Sequence, residues 1–160
     1  MPSDLWRYLA WSSDIKQEYG SILNFVIRER LRWTDISQPE KPPRFEHSNS
    51  LPLENRADYA VLENDWPYGV ATGIRHFIVW TKMPIPVDDD QGDVTPESRR
   101  LIDAFVQNFF VDRLDNGRDR VLWFKNWVKL QSVRGVDHVH ILLRDAPQDL
   151  VDEWTVRKDL

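Results

Sequence analysis

Two histidines, His138 and His140, stand two residues apart in the run Asp-His-Val-His-Ile-Leu-Leu-Arg. On an extended strand that spacing puts both imidazoles on one face, with Val139 and Ile141 pointing the other way. Paired imidazoles can pass a proton near neutral pH, hold a metal ion, or supply a nucleophile and its helper. They can equally be two strand histidines satisfied in or beside a core, so geometry has to decide. A third imidazole, His76, lies in the apolar run Ile74 to Lys82, which reads as a strand of the same sheet. Two imidazoles on one face could chelate a metal. With no cysteine in the chain and only His76 as an obvious third imidazole, neither a metal nor another cofactor is assigned.

Tryptophan is the compositional outlier: eight residues among 160. Each indole gives a large apolar wall with a single donor, which suits a core or a pocket for an apolar or planar ligand. Trp66, Tyr68, Trp80 and Trp123 are therefore candidate substrate-binding residues, with Lys125, Asn126, Gln131 and Arg134 as candidate polar contacts around the last two strands. Arg134 could hold a carboxylate or phosphate through two parallel bonds. The acidic run Asp88-Asp89-Asp90 reads as a solvated loop.

These groups need a frame. Ser13 reads as the N-cap of a helix from about residue 14 to residue 33, whose apolar positions include Ile15, Tyr19, Ile22, Val26 and Leu31. Residues 37 to 56, with four prolines, read as a long irregular connection able to cover a site. Strands are expected at 59–62, 74–82, 121–125 and 138–143, and in the second of them His76, Ile78 and Trp80 should share a face opposite Phe77 and Val79. Thr95-Pro96-Glu97 gives an N-cap, a proline at the first helical position and an acidic first turn for a helix reaching about Leu114. Residues 147–156 suggest one more short helix. The expectation is an α+β fold over a single domain, residues 1–160: an antiparallel sheet of four or more strands packed by two main helices.

The net charge of −5 argues against nucleic acid and anionic membranes as partners. No apolar run reaches the length of a spanning helix, and Met-Pro-Ser-Asp-Leu-Trp lacks the regions of a signal peptide, so a cytoplasmic protein is expected. A small-molecule substrate is the expected partner; oligomeric state stays open, a homodimer included.

The segments Asn64 to Gly69, His76 to Lys82, Trp123 to Asn126, and Leu130 to Val133 with His138-Val139-His140 resemble the fungal N-acetylglucosamine-induced protein 1 family, a domain family of unassigned function. The resemblance spans roughly residues 57 to 146 and implies a fungal source and a small intracellular protein, but no reaction. A second resemblance is to histidine-triad proteins. His76 to Lys82 looks like their first histidine-bearing strand, and Asn126, Gln131, Ser132, Val133, His138, His140 and Arg144 look like their catalytic segment. It implies a similar topology and attack of a histidine, here His138, on an α-phosphate. Val136 stands where the first triad histidine would be, Leu143 replaces the proline, and the phosphate-approaching glycines are missing.

Three functions follow as expectations. The first is a cofactor-independent enzyme that cyclises or isomerises an apolar metabolite of fungal secondary metabolism in an aromatic-lined pocket, with His138, His140 and His76 as catalytic groups. The second is a divergent histidine-triad-like nucleotide hydrolase or transferase with His138 as nucleophile. The third is a non-catalytic sensor of a sugar or nucleotide.

Overall fold

A computed structural model of the chain describes residues 2–65, 71–126 and 135–156. The chain opens with α1 (Pro2–Tyr19) and a single-turn α2 (Ile22–Phe25), which widens into a π-helical turn over Val26–Leu31. The expected helix from residue 14 to residue 33 is thus corrected: helix begins at Pro2, and Ser13 lies inside it. Gly20, at φ 86°, ends α1 in the left-handed region that glycine adopts without a Cβ penalty. Ser21 then caps α2 by accepting from the Asn24 amide at 3.0 Å. Arg32, itself left-handed, closes the wide turn by donating to Ile27 O at 2.7 Å. A continuous apolar periodicity across residues 14 to 33 hides this break, because both pieces bury the same side.

Four strands form one antiparallel sheet: β1 (Tyr59–Glu63), β2 (Ile74–Thr81), β3 (Val121–Phe124) and β4 (Asp137–Arg144), in spatial order β1-β2-β4-β3. Helix α3 (Pro96–Phe109) carries the chain from β2 across to the β3 edge, and α4 (Gln148–Trp154) follows β4. Thr95 caps α3 as its sequence predicts, accepting from Ser98 N at 3.1 Å with Pro96 in the first turn. The helix stops at Phe109, short of the expected Leu114; a tight turn over Val111–Arg113 follows. There a Cβ on Gly117 would sit 2.2 Å from the Val111 carbonyl oxygen, so only glycine fits.

Strand alternation sorts the sheet into two faces. Val61, Phe77, Val79, Val139, Ile141 and Leu143 pack with Ile102, Phe105, Val106 and Phe110 of the α3 region and with Val151 and Trp154 of α4. On the opposite face Ala60, Ile78, Trp80 and Val136 pack with Ile15, Phe25, Val26, Ile27, Leu31, Trp33 and Phe45 from the N-terminal region. The irregular connection supplies Phe45 to that second layer, and is anchored by Ser48, whose amide donates to Asp58 Oδ1 at 2.9 Å. The three histidines of interest belong to this second face.

Candidate imidazole site

In β2 and β4, Ile78 lies opposite His140, Trp80 opposite His138, and His76 opposite Leu142. His76 and His140 are therefore diagonal neighbours across the strand pair, within reach of each other's rings. Their nitrogens meet: His76 Nε2 and His140 Nδ1 are 2.9 Å apart. Just beyond β1, Asn64 continues the pairing, its amide donating to the His76 carbonyl at 2.8 Å. This brings the Asn64 side-chain Nδ2 within 3.1 Å of His76 Nδ1. On β4, His138 Nδ1 lies 2.9 Å from the Val136 carbonyl oxygen.

Aromatic rings hold the cluster in place. Phe124 stacks on His140, with centroids 4.7 Å apart and planes 5° from parallel. Trp80 lies against His138 at 4.5 Å. The His138 and His140 rings are 5.2 Å apart at a steep angle. His138 is only 3% exposed, whereas His76 and His140 are half-buried.

Burial sets their charge. It pushes all three imidazoles below the usual histidine range, because an ionised ring loses its hydration there. His140 is pushed down to about 3, burial being reinforced by His138, His76 and Lys125. At His138 the bond to Val136 and the nearby Asp137 partly counter the burial. The three rings are neutral at physiological pH.

Asp137 itself points away from His138, as alternation requires. Its Oδ1 meets Lys125 Nζ at 2.5 Å and its Oδ2 accepts from the Ile85 amide at 2.7 Å. Lys125 is buried, and it lines a cavity of about 670 Å³ at this end of the sheet together with Arg44, Phe45, Lys82, Ile85 and Val136. None of the three histidines lines that cavity.

The structure therefore unites His76, His138, His140 and Trp80 on one face and leaves other candidates elsewhere. Trp123 lies opposite Ile141, on the α3 side, where its indole donates to Asp103 Oδ1 at 2.7 Å. It does not share a face with the imidazoles. Asn126 is half-buried just past β3. Trp66, Tyr68, Gln131 and Arg134 lie outside the described residues. Sequence reasoning missed Asn64 and Phe124. Extending the β1 alternation through Leu62 would have put Asn64 on the histidine face, but only the strand register reveals that it meets His76. Among the described residues, no group of three or more His, Asp or Glu side chains is arranged to hold a metal ion. Their helices include none long and apolar enough to cross a membrane.

A four-stranded antiparallel sheet, helices on both faces and a neutral imidazole cluster on the N-terminal side define the class of protein. The chain belongs to the family described as Protein of unknown function (DUF3605), which matches residues 1–144. It is 30% identical over 157 residues to N-acetylglucosamine-induced protein 1 of Candida albicans, covering 92% of this chain and 61% of that protein. It is also 30% identical over 128 residues to the uncharacterized protein YPL067C of Saccharomyces cerevisiae, covering 80% of this chain and 62% of that one. The chain thus spans about three-fifths of the length of these two fungal relatives. Among solved structures, the crystal structure of HTC1 superposes with a TM-score of 0.69 at 25% identity, covering 96% of this chain and 83% of that chain.

Proposed function

We propose that the protein is a cofactor-independent enzyme that binds a neutral, largely apolar metabolite against the imidazole face and promotes its isomerisation or cyclisation. The setting that fits this reading is cytoplasmic fungal secondary metabolism. One observation carries it. Three imidazoles, kept uncharged by burial, are fixed by hydrogen bonds and ring stacking, while among the described residues the Nε2 atoms of His138 and His140 have no hydrogen-bond partner. A purely structural role would be expected to satisfy both nitrogens of a ring as buried as that of His138. Fixed, neutral groups suit proton transfer at a substrate without charge, and holding a reactive conformer supplies part of the acceleration.

The hydrolase reading draws support from the His138 Nδ1 bond to a backbone carbonyl, which leaves Nε2 free to attack phosphorus. Against it, neutral imidazoles bring no positive charge to a phosphate, and Val136, at the place of the first triad histidine, is buried in the N-terminal core. The metabolite reading therefore stands first.

The test is incubation with a panel of apolar polyenes and unsaturated ketones, comparing products with and without protein. A changed ring pattern or stereochemistry, lost on His138→Gln, supports the enzyme. Product mixtures identical to the spontaneous ones remove it, and ligand bound but returned unchanged makes the protein a sensor.

A further inference from the structure

The hydrogen bonds around the three imidazoles have a direction, and that direction selects a substrate. The Val136 carbonyl can only accept, so the neutral His138 ring carries its proton on Nδ1 and presents a lone pair at Nε2. At the other end the Asn64 amide nitrogen donates to His76 Nδ1. His76 then carries its proton on Nε2 and donates it to His140 Nδ1. His140, accepting at Nδ1, presents an N–H at Nε2. The face offers one base and one donor on rings whose centroids are 5.2 Å apart, each with its outer nitrogen unbonded among the described residues.

Resting on the function proposed above, we infer that the substrate is a neutral enolisable carbonyl compound. His138 Nε2 removes a proton from the carbon beside the carbonyl. The C–H electron pair becomes a new C=C bond, and the carbonyl π pair moves to oxygen. The His140 Nε2–H hydrogen-bonds that oxygen as its charge develops. The protonated His138 returns its proton at a second carbon of the conjugated system, which restores the base and leaves an isomer. No electrons are gained or lost overall. His138 and His140 are the catalytic residues; Asn64 and His76 are positioning residues that fix which His140 nitrogen bears hydrogen. An isolated base beside a random donor would need no such chain, and a phosphate would want donors at both positions.

Two measurements test this on the full chain. Nitrogen-15 spectra of the histidine rings are expected to show His138 as the Nδ1–H tautomer and His76 and His140 as Nε2–H tautomers. Asn64→Asp, which can only accept, is expected to reverse His76 and His140 together while His138 keeps its tautomer, a change that a merely structural Asn64 would not produce. The second measurement follows conversion of cyclohex-3-enone to cyclohex-2-enone in deuterated water. Wild type should exceed the buffer rate, His138→Gln should lower that gain about 100-fold or more, and Asn64→Asp should lower it about 100-fold by putting a lone pair where the oxyanion sits. Gln can still donate to the Val136 carbonyl, which protects the fold. Opposite tautomers in wild type overturn the carbonyl assignment and leave the metabolite reading standing. A ketone that perturbs the histidine signals without being isomerised also overturns that assignment, and the metabolite reading is then decided by the other compounds of the panel. If no apolar probe perturbs those signals, both readings fall.

Discussion

The two faces of β4 make the most instructive comparison in the molecule. Val139, Ile141 and Leu143 enter the α3 and α4 layer, where every neighbour in the cluster is apolar or aromatic. One residue out of step, His138 is buried and His140 half-buried on the opposite face, and both carry nitrogens that must be bonded or left for something else. The first face is built for packing. The second gives up packing energy to hold polar groups in fixed orientation, the pattern expected where function and stability compete.

Substitutions on the two faces should separate these roles. On the packing face the largest loss is expected at Phe77, which is fully buried against Phe110 and Trp154. Phe77→Ala should cost about 3–5 kcal/mol in urea unfolding, and a loss under about 1 kcal/mol would mean the layer collapses around the gap. At the seam between faces, Lys125→Met strands the Asp137 carboxylate and should cost about 3 kcal/mol, largely restored when Asp137→Leu is added. Equal losses in the single and double variants would show that the ion pair contributes nothing specific.

Acid should act through the imidazole face. His76, His138 and His140 all titrate below the ordinary histidine value of 6.5 in the folded chain, so at intermediate pH the unfolded chain binds more protons than the folded one. Stability should therefore be full above about pH 7 and fall as pH drops through 6.5 toward the folded value near 3 at His140. A flat stability profile over that window would contradict the neutral cluster. The smallest effect is a gain: His140→Leu should raise stability by about 1 kcal/mol while removing activity and flattening the acid slope. A net loss of stability would mean that the bond to His76 outweighs the cost of burying the ring.

How much of this was legible in the sequence follows from what each feature depends on. Alternation is local, so the split of Phe77 and Val79 from His76, Ile78 and Trp80 could be read directly, as could the Thr95 cap. The break at Gly20 was not legible, since one glycine inside a continuous apolar periodicity reads as a tolerated defect. That the candidate Trp123 lies on the α3 side was not legible either, because β3 contributes to the imidazole face through its even positions, Leu122 and Phe124, and that parity depends on the register with β4. The Asn64–His76–His140 chain joins residues from three separate segments, so no spacing along the chain encodes it.

The anchoring of Asp137 by Lys125 and the Ile85 amide reaches further than the charge it neutralises. It fixes the first residue of β4, and a strand shifted by a single position would carry both imidazoles under α3 and expose aliphatic branches in their stead. With its starting point held in this way, the histidine side can accept new side chains during divergence without the ladder losing its alignment, so relatives could acquire different chemistries on an unchanged frame.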